Sequence, residues 1–125
     1  MDAEFEDAIT EGTKAGDWLV LAGLRALSVA VDFAYGEGGE SLSVILQTSL
    51  DGGRSGIDIA HFRFAREGCR QIATLTGLSG LAPHVPQRLA PGEILDGFLG
   101  DRIRFVRIAT GDYKNSSIAV HGAAR

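Results

Sequence analysis

Residues 25–35, RALSVAVDFAY, alternate with a period of two. Leu27, Val29, Val31 and Phe33 fall on one side, and Ser28, Ala30, Asp32 and Ala34 on the other. Successive side chains of an extended strand point to opposite faces, whereas a helix would bring apolar residues round every three or four positions. Residues 41–49, SLSVILQTS, repeat the pattern, with Leu42, Val44, Leu46 and Thr48 sharing a face. Gly36, Glu37, Gly38, Gly39 and Glu40 stand between the two runs and read as a turn. The expectation is two strands joined as a β-hairpin.

The rest of the chain reads in the same way. Residues 1–17 form an N-terminal arm or edge strand followed by a turn, with a short amphipathic helix over residues 2–10 as the competitor. Trp18 to Gly23 is an apolar strand that Gly23 breaks or bends. Asp51-Gly52-Gly53, followed by Ser55 and Gly56, is a turn in which glycine permits positive φ and Asp51 can cap through its own side chain. In the strand from Ile57 to Phe64, Ile57, Ile59 and His61 fall on one side and Phe62 and Phe64 on the other, which points to a bulge or a sheet edge. Residues 70–76 form a further strand. A second hairpin closes the chain, with residues 101–109 and 116–123 flanking the turn TGDYKN.

Residues 77–100 break the pattern. They hold all 3 prolines, several glycines and apolar residues with no stable period, including Leu81, Val85, Leu89, Ile94 and Phe98. So long an irregular segment in a small domain is typically an Ω-loop, a binding loop or an arm. Nothing resembles a βαβ crossover. The expected fold is therefore all-β: an antiparallel β-sandwich of seven to eight strands, with the jelly roll as its candidate topology. The sandwich occupies residues 18–125, and its core takes Trp18, Val31, Phe62, Phe64 and Phe105.

Composition narrows the function. A chain of 125 residues fits one domain, and its 17 glycines follow no Gly-x-y period, which excludes collagen. The net charge of −4 argues against a general nucleic-acid binder. A single cysteine excludes an intrachain disulfide framework and a tetracysteine zinc site. The start MDAEFEDAIT is acidic where a signal peptide would be basic and then apolar, and the apolar run from Trp18 to Leu24 is too short to cross a bilayer. The expectation is a chain made without an export address and without a membrane partner.

No motif carries an evident chemistry. His61, His84 and His121 lack metal-motif spacing, and there is no HExxH. Cys69 has no local base, although His61 is a candidate across a hairpin. Gly36 to Gly39 and Asp51 to Gly56 do not match a phosphate loop. Asp51, Asp58, Glu37 and Glu40 have no EF-hand spacing. No enzymatic activity and no cofactor or metal is expected. Arg102 and Arg104 share a strand face and Arg107 points the opposite way; they form either a basic contact face or a charged guard on an edge strand. Tyr35, Phe98 and Tyr113 lie in or beside loops, where amphipathic rings commonly anchor interfaces. The interface candidates are therefore Tyr35, Leu81, Val85, Leu89, Phe98, Arg102, Arg104 and Tyr113. Tyr35 and Tyr113 could also serve a carbohydrate- or receptor-binding sandwich if their two turns meet at one end.

Residues 26–64 and 101–124 resemble a family of small β-sandwich proteins encoded in the structural gene blocks of tailed bacteriophages and prophages. The resemblance rests on Leu27 to Phe33, the turn Gly36 to Gly39, and Leu42 to Ser49 with its Gln-Thr-Ser end. It continues through Asp51-Gly52-Gly53, Asp58 to Phe64, and Ile103 to Val120. It covers about half of the chain. Arg54-Ser55-Gly56 replaces the Thr, Ser or Trp usual after Asp-Gly-Gly, and residues 77–100 are an addition to the pattern. The resemblance implies a virion component assembled in the bacterial cytoplasm: a head-decoration, head–tail or tail-associated subunit. Its implied partners are capsid, connector or tail proteins, and it would be a homo-oligomer or lattice-bound.

Overall fold

The computed structural model describes residues 2–5 through their backbone, and residues 9–21, 23, 25–77, 83 and 85–124 in full. In chain order the strands are β1 (Asp2–Phe5), β2 (Gly12–Ala15), β3 (Leu19–Val20), β4 (Ala26–Ala34), β5 (Glu37–Gly38) and β6 (Ser41–Ser49). They continue with β7 (Ile57–Phe64), β8 (Cys69–Thr76), β9 (Arg102–Thr110), β10 (Tyr113–Lys114) and β11 (Ser117–Ala124). The described residues thus form eleven strands, several of them only two residues long, against the seven to eight expected.

The strands make three antiparallel sheets. The first has the order β1-β11-β4-β8; the second has the order β2-β9-β6-β7, with β3 also on β9; the third is the two-stranded ribbon β10-β5. Chain neighbours mostly lie in different sheets. β4 and β6 do not pair, so residues 35–40 cross between the sheets, and the expected first hairpin is not formed. β9 and β11 do not pair either, which also removes the closing hairpin. In both cases the inward residues of the two runs face each other across the core instead of sharing one sheet. The one long hairpin is β6–β7, closed by residues 50–56.

The alternation sets the core. Leu27, Val29, Val31 and Phe33 of β4, with Leu75, Ile118 and Val120, form the inner face of the first sheet. Leu42, Val44, Leu46, Phe62, Phe64, Ile103, Phe105 and Ala109 form that of the second. All belong to one buried cluster. Full burial of such a side chain is worth roughly 1.5–3 kcal/mol, which is what joins two sheets that share few hydrogen bonds. The expected irregularity in β7 is a β-bulge: Leu46 faces Ala60 and Gln47 faces Asp58, leaving Ile59 as the extra residue.

Trp18 departs from expectation. It precedes β3 and is only half-buried, with its ring beneath the Arg104 guanidinium, 4.4 Å from the ring centroid. Leu19, one residue on, packs against the core cluster in its place. Arg102 and Arg104 also depart from one reading. β9 is paired on both sides, by β6 and by β2 and β3, so these arginines do not guard an edge.

Candidate functional site

The outer face of the second sheet gathers most of the candidate residues. Here β6 is buried on both faces, since Ile45, Gln47 and Ser49 are covered as well as Leu46 and Thr48. Residues 89–95, between β8 and β9, run along the edge of β7 that no strand pairs. The His61 amide donates to the Glu93 carbonyl at 3.1 Å, the Gly92 amide to the His61 carbonyl at 3.0 Å, and the Leu95 amide to the Ile59 carbonyl at 2.9 Å. The segment thereby satisfies an edge that would otherwise offer unpaired backbone groups.

Two buried side chains fasten it. Asp58 Oδ1 accepts from Gln47 Nε2 at 2.8 Å, and its Oδ2 accepts from the Leu89 amide at 3.3 Å and lies 3.2 Å from Arg88 Nε. His61 Nδ1 lies 2.9 Å from the Leu89 carbonyl oxygen and its Nε2 lies 2.8 Å from Ser43 Oγ. A carbonyl only accepts, so Nδ1 carries the proton; in the neutral ring Nε2 then accepts from the Ser43 hydroxyl. A histidine accepting from a serine is also the first requirement of an activated nucleophile. β6 is paired on both sides, by β7 and by β9, so Ser43 presents its hydroxyl to His61 from the outer face of the sheet. The pair acts as a latch.

The polar row continues across the sheet, because Arg104 Nε donates to Gln47 Oε1 at 2.9 Å while its guanidinium stacks on Trp18. Arg102 lies 3.8 Å from Asp101, and its Nε is buried without a hydrogen-bond partner. Arg107 shares the inward parity of Ile103 and Phe105. It donates to the Thr10 carbonyl at 2.8 Å, and burial lowers its pKa from the usual guanidinium value.

The candidate residues separate as follows. Val85 is 82% exposed and Leu89 half-buried on the latched segment. Phe98 packs against the core cluster and is not a free anchor. Leu81 and His84 lie outside the described residues. Tyr35 and Tyr113 do meet at one end, with ring centroids 6.0 Å apart and nearly perpendicular planes. Tyr113 is nonetheless only 1% exposed, and its hydroxyl donates to the Ala65 carbonyl. Tyr35 donates to the Gly38 carbonyl. The two rings close the end of the core and offer no open platform to a sugar, which corrects the interface role expected of Tyr113. Cys69 is exposed on β8 of the first sheet, whereas His61 lies in the second, so the two are not paired across a hairpin.

Sequence reasoning missed Ser43, Gln47 and Asp58 as a connected set. Alternation alone puts Asp58 on the side of Phe62 and Phe64; the bulge at Ile59 turns it to the outer face opposite Gln47, so period two gave no signal for the set. Among the described residues no group of three or more His, Cys, Asp or Glu could hold a metal ion.

The turn at residues 50–56 is closed by its own side chains. Asp51 Oδ1 accepts from Ser49 Oγ and the Ser55 amide, and its Oδ2 from the Ser55 hydroxyl. These bonds, the Ser55 hydroxyl first, lower the Asp51 pKa to about 2. A carboxylate held below its unfolded value stabilises the turn above that value, and the contribution is lost as pH falls through the folded one. The Ser55 amide resonance should therefore keep its native shift through pH 4 and move with a midpoint near 2. A midpoint near the ordinary carboxylate value would show that the turn is open in solution.

No family model, no curated protein and no solved structure matches this chain. The reading of its role therefore rests on the fold and on these surfaces.

Proposed function

We propose that this chain is a non-enzymatic structural subunit of a phage or phage-like particle. It would act through protein–protein contacts on the capsid exterior, at the head–tail junction or on the tail. The observation that carries the reading is the long segment. It is pinned by backbone and side-chain bonds along β7, yet it turns Val85 (82% exposed) and Ile94 (49% exposed) to solvent. A segment that only closed an edge would gain nothing from exposed apolar side chains; one that docks a neighbour would.

The strand order supports a jelly-roll form of the sandwich. β2 and β3 both pair β9 and count as one interrupted strand, leaving eight principal strands and a rim ribbon. Their pairings are nested: β1 with β11, β2 and β3 with β9, β4 with β8, and β6 with β7. One long antiparallel hairpin, folded over so that β11 also meets β4 and β9 also meets β6, gives that order. Jelly rolls serve as capsid and lectin domains. The buried Tyr113 favours the first use here, since the tyrosine platform that a glycan reading needs is closed.

The test is saturable binding of purified protein to its own virions or capsids, followed by co-sedimentation. The double variant Val85→Asp, Ile94→Asp should bind at least about 30-fold more weakly while keeping its Tm, because both side chains are exposed. Failure of the unmodified protein to bind particles would overturn the proposal.

A further inference from the structure

The first sheet ends on β8, and this edge differs from the others. β1 and β2 have four residues each, β3 has two, and the edge of β7 is taken by residues 89–95. β8 has eight residues, pairs β4 in unbroken register, and carries no proline or bulge to blunt it. The ladder fixes which of its backbone groups point outward. The Gly77 amide donates to the Arg25 carbonyl at 2.7 Å, one step beyond the pair Ala26 and Thr76. Antiparallel pairs alternate between bonded and unbonded, so Cys69, Gln71, Ala73 and Leu75 bond β4. The amides and carbonyls of Arg70, Ile72, Thr74 and Thr76 therefore point away from it. The Thr76 amide agrees with this parity, since it donates to Asp96 Oδ1 at 2.8 Å. Arg70, Ile72 and Thr74 are exposed, and among the described residues nothing pairs their outward backbone groups.

We infer that this edge pairs with the same edge of a second copy of the chain, β8 against β8, antiparallel and centred on Ile72. An open row of amides and carbonyls takes another extended strand. This row is complementary to itself. A two-fold axis normal to the sheet sets Ile72 opposite Ile72 of the second copy and Arg70 opposite Thr74. The open amides of each copy then donate to the open carbonyls of the other, with none left over. The side chains fit the same register. Ile72 is 69% exposed and meets its own equivalent, a β-branched pair of the kind that stabilises neighbouring strands. Arg70 donates to Asp32 of its own copy at 2.9 Å and faces an uncharged threonine across the axis, so no like charges oppose. The ladder ends at Thr76, whose amide Asp96 already holds; the residue opposite is Gly68, which has no side chain to crowd that cap. Pairing β8 with β1 of another copy would engage only a four-residue strand and leave an open end on each copy. The two-fold pair closes on itself.

This inference goes beyond the assembly reading and fails separately from it. The experiment is sedimentation equilibrium of the full chain across roughly 1–300 μM, with amide hydrogen exchange on the same samples. The expected result is a species of twice the 13.2 kDa chain mass. As it forms, the Arg70, Ile72 and Thr74 amides should gain at least about 10-fold in protection, while the Gln71 and Ala73 amides are protected at every concentration. Ile72→Pro removes an outward amide and leaves every bond to β4 in place; Ile72→Lys keeps that amide and sets like charges opposite each other across the axis. Each should weaken self-association by about 30-fold or more. Protection at Gln71 and Ala73 reports that β8 is intact; if Ile72→Pro loses it, Ile72→Lys decides. A monomer at every concentration overturns the inference, as does a dimer in which Ile72 and Thr74 stay unprotected or which ignores Ile72→Lys. Protection at Ile72 and Thr74 that arises only on adding particles also overturns it, by giving the edge to a different protein, and leaves the assembly proposal standing. A dimer with the expected protection that ignores particles does the reverse.

Discussion

Replacing Tyr113 by alanine is expected to lower the unfolding free energy by about 3–5 kcal/mol, comparable to losing a large core aromatic. Thermal denaturation followed by circular dichroism should show this as a fall in Tm on the order of 10–20 °C. The size of the effect would be out of place for a tyrosine in a two-residue strand at the rim. Its ring, however, meets Phe33 edge-on at 5.5 Å, with Tyr35 at 6.0 Å, and Phe33 in turn meets Phe64 at 5.4 Å. Its hydroxyl reaches the Ala65 carbonyl at 2.8 Å, and its backbone exchanges hydrogen bonds with Ile9. Burial raises the phenol pKa above its ordinary value. The fit also explains Gly39, which has φ +66° and lies flat against the Tyr113 ring, where a Cβ would collide. Tyr113→Phe removes only the hydrogen bond and should cost about 1 kcal/mol. A surface ring would cost within ±0.5 kcal/mol for either change. Near-neutral behaviour of Tyr113→Ala would place the residue at an interface after all.

Period-two alternation made the long strands legible, because which residues face the core is a local property of the chain. It could not tell which strand pairs with which. Leu27 to Phe33 and Leu42 to Thr48 would alternate identically as neighbours in one sheet or as opposed faces of two. The turn Gly36 to Glu40 favoured the hairpin on length alone. What makes it a crossover is non-local: β5 pairs with β10, from near the other end of the chain, and Gly36 approaches the backbone of Lys114 and Asn115. The same holds for residues 111–116, which lead from β9 in one sheet to β11 in the other.

The candidate surfaces were legible in part. Val85 is exposed while Leu95, Phe98 and Leu99 of the same aperiodic segment pack against the core, and without a period the sequence does not tell these apart. Phe98 and Tyr113 were misplaced because a loop residue can turn inward where two sheets leave a gap at their ends. Arg102 and Arg104 depended on topology, since whether a strand is an edge is decided by residues 12–20, far from it in the chain. The row Arg104–Gln47–Asp58 needed the bulge at Ile59 to bring its members into register.

Asp58→Ala should release the long segment without unfolding the protein. The carboxylate is buried and takes donors from three places: Gln47 of β6, the Leu89 amide and Arg88. Arg88 is half exposed and will find water, but the buried Gln47 amide loses its acceptor. Leaving such a donor unsatisfied costs about 1–3 kcal/mol. That is a minor part of the roughly 5–15 kcal/mol typical of a domain, so the native sheets persist. Locally the loss is decisive, because what then remains is His61 and a few edge hydrogen bonds on a segment whose side chains are largely exposed. The reporters are the Gly92 and Leu95 amides, which donate to β7 carbonyls and exchange only when the segment lifts. Their hydrogen-exchange protection should fall by at least about 10-fold, equivalent to roughly 1.4 kcal/mol, while that of the β4 and β6 amides falls only with global stability. Asp58→Asn keeps an acceptor for Gln47 and removes the charge facing Arg88, so its loss should be smaller. Equal protection at Gly92 and Leu95 in Asp58→Ala and in the unmodified protein would show that the backbone bonds hold the segment unaided and that Asp58 serves Gln47 alone.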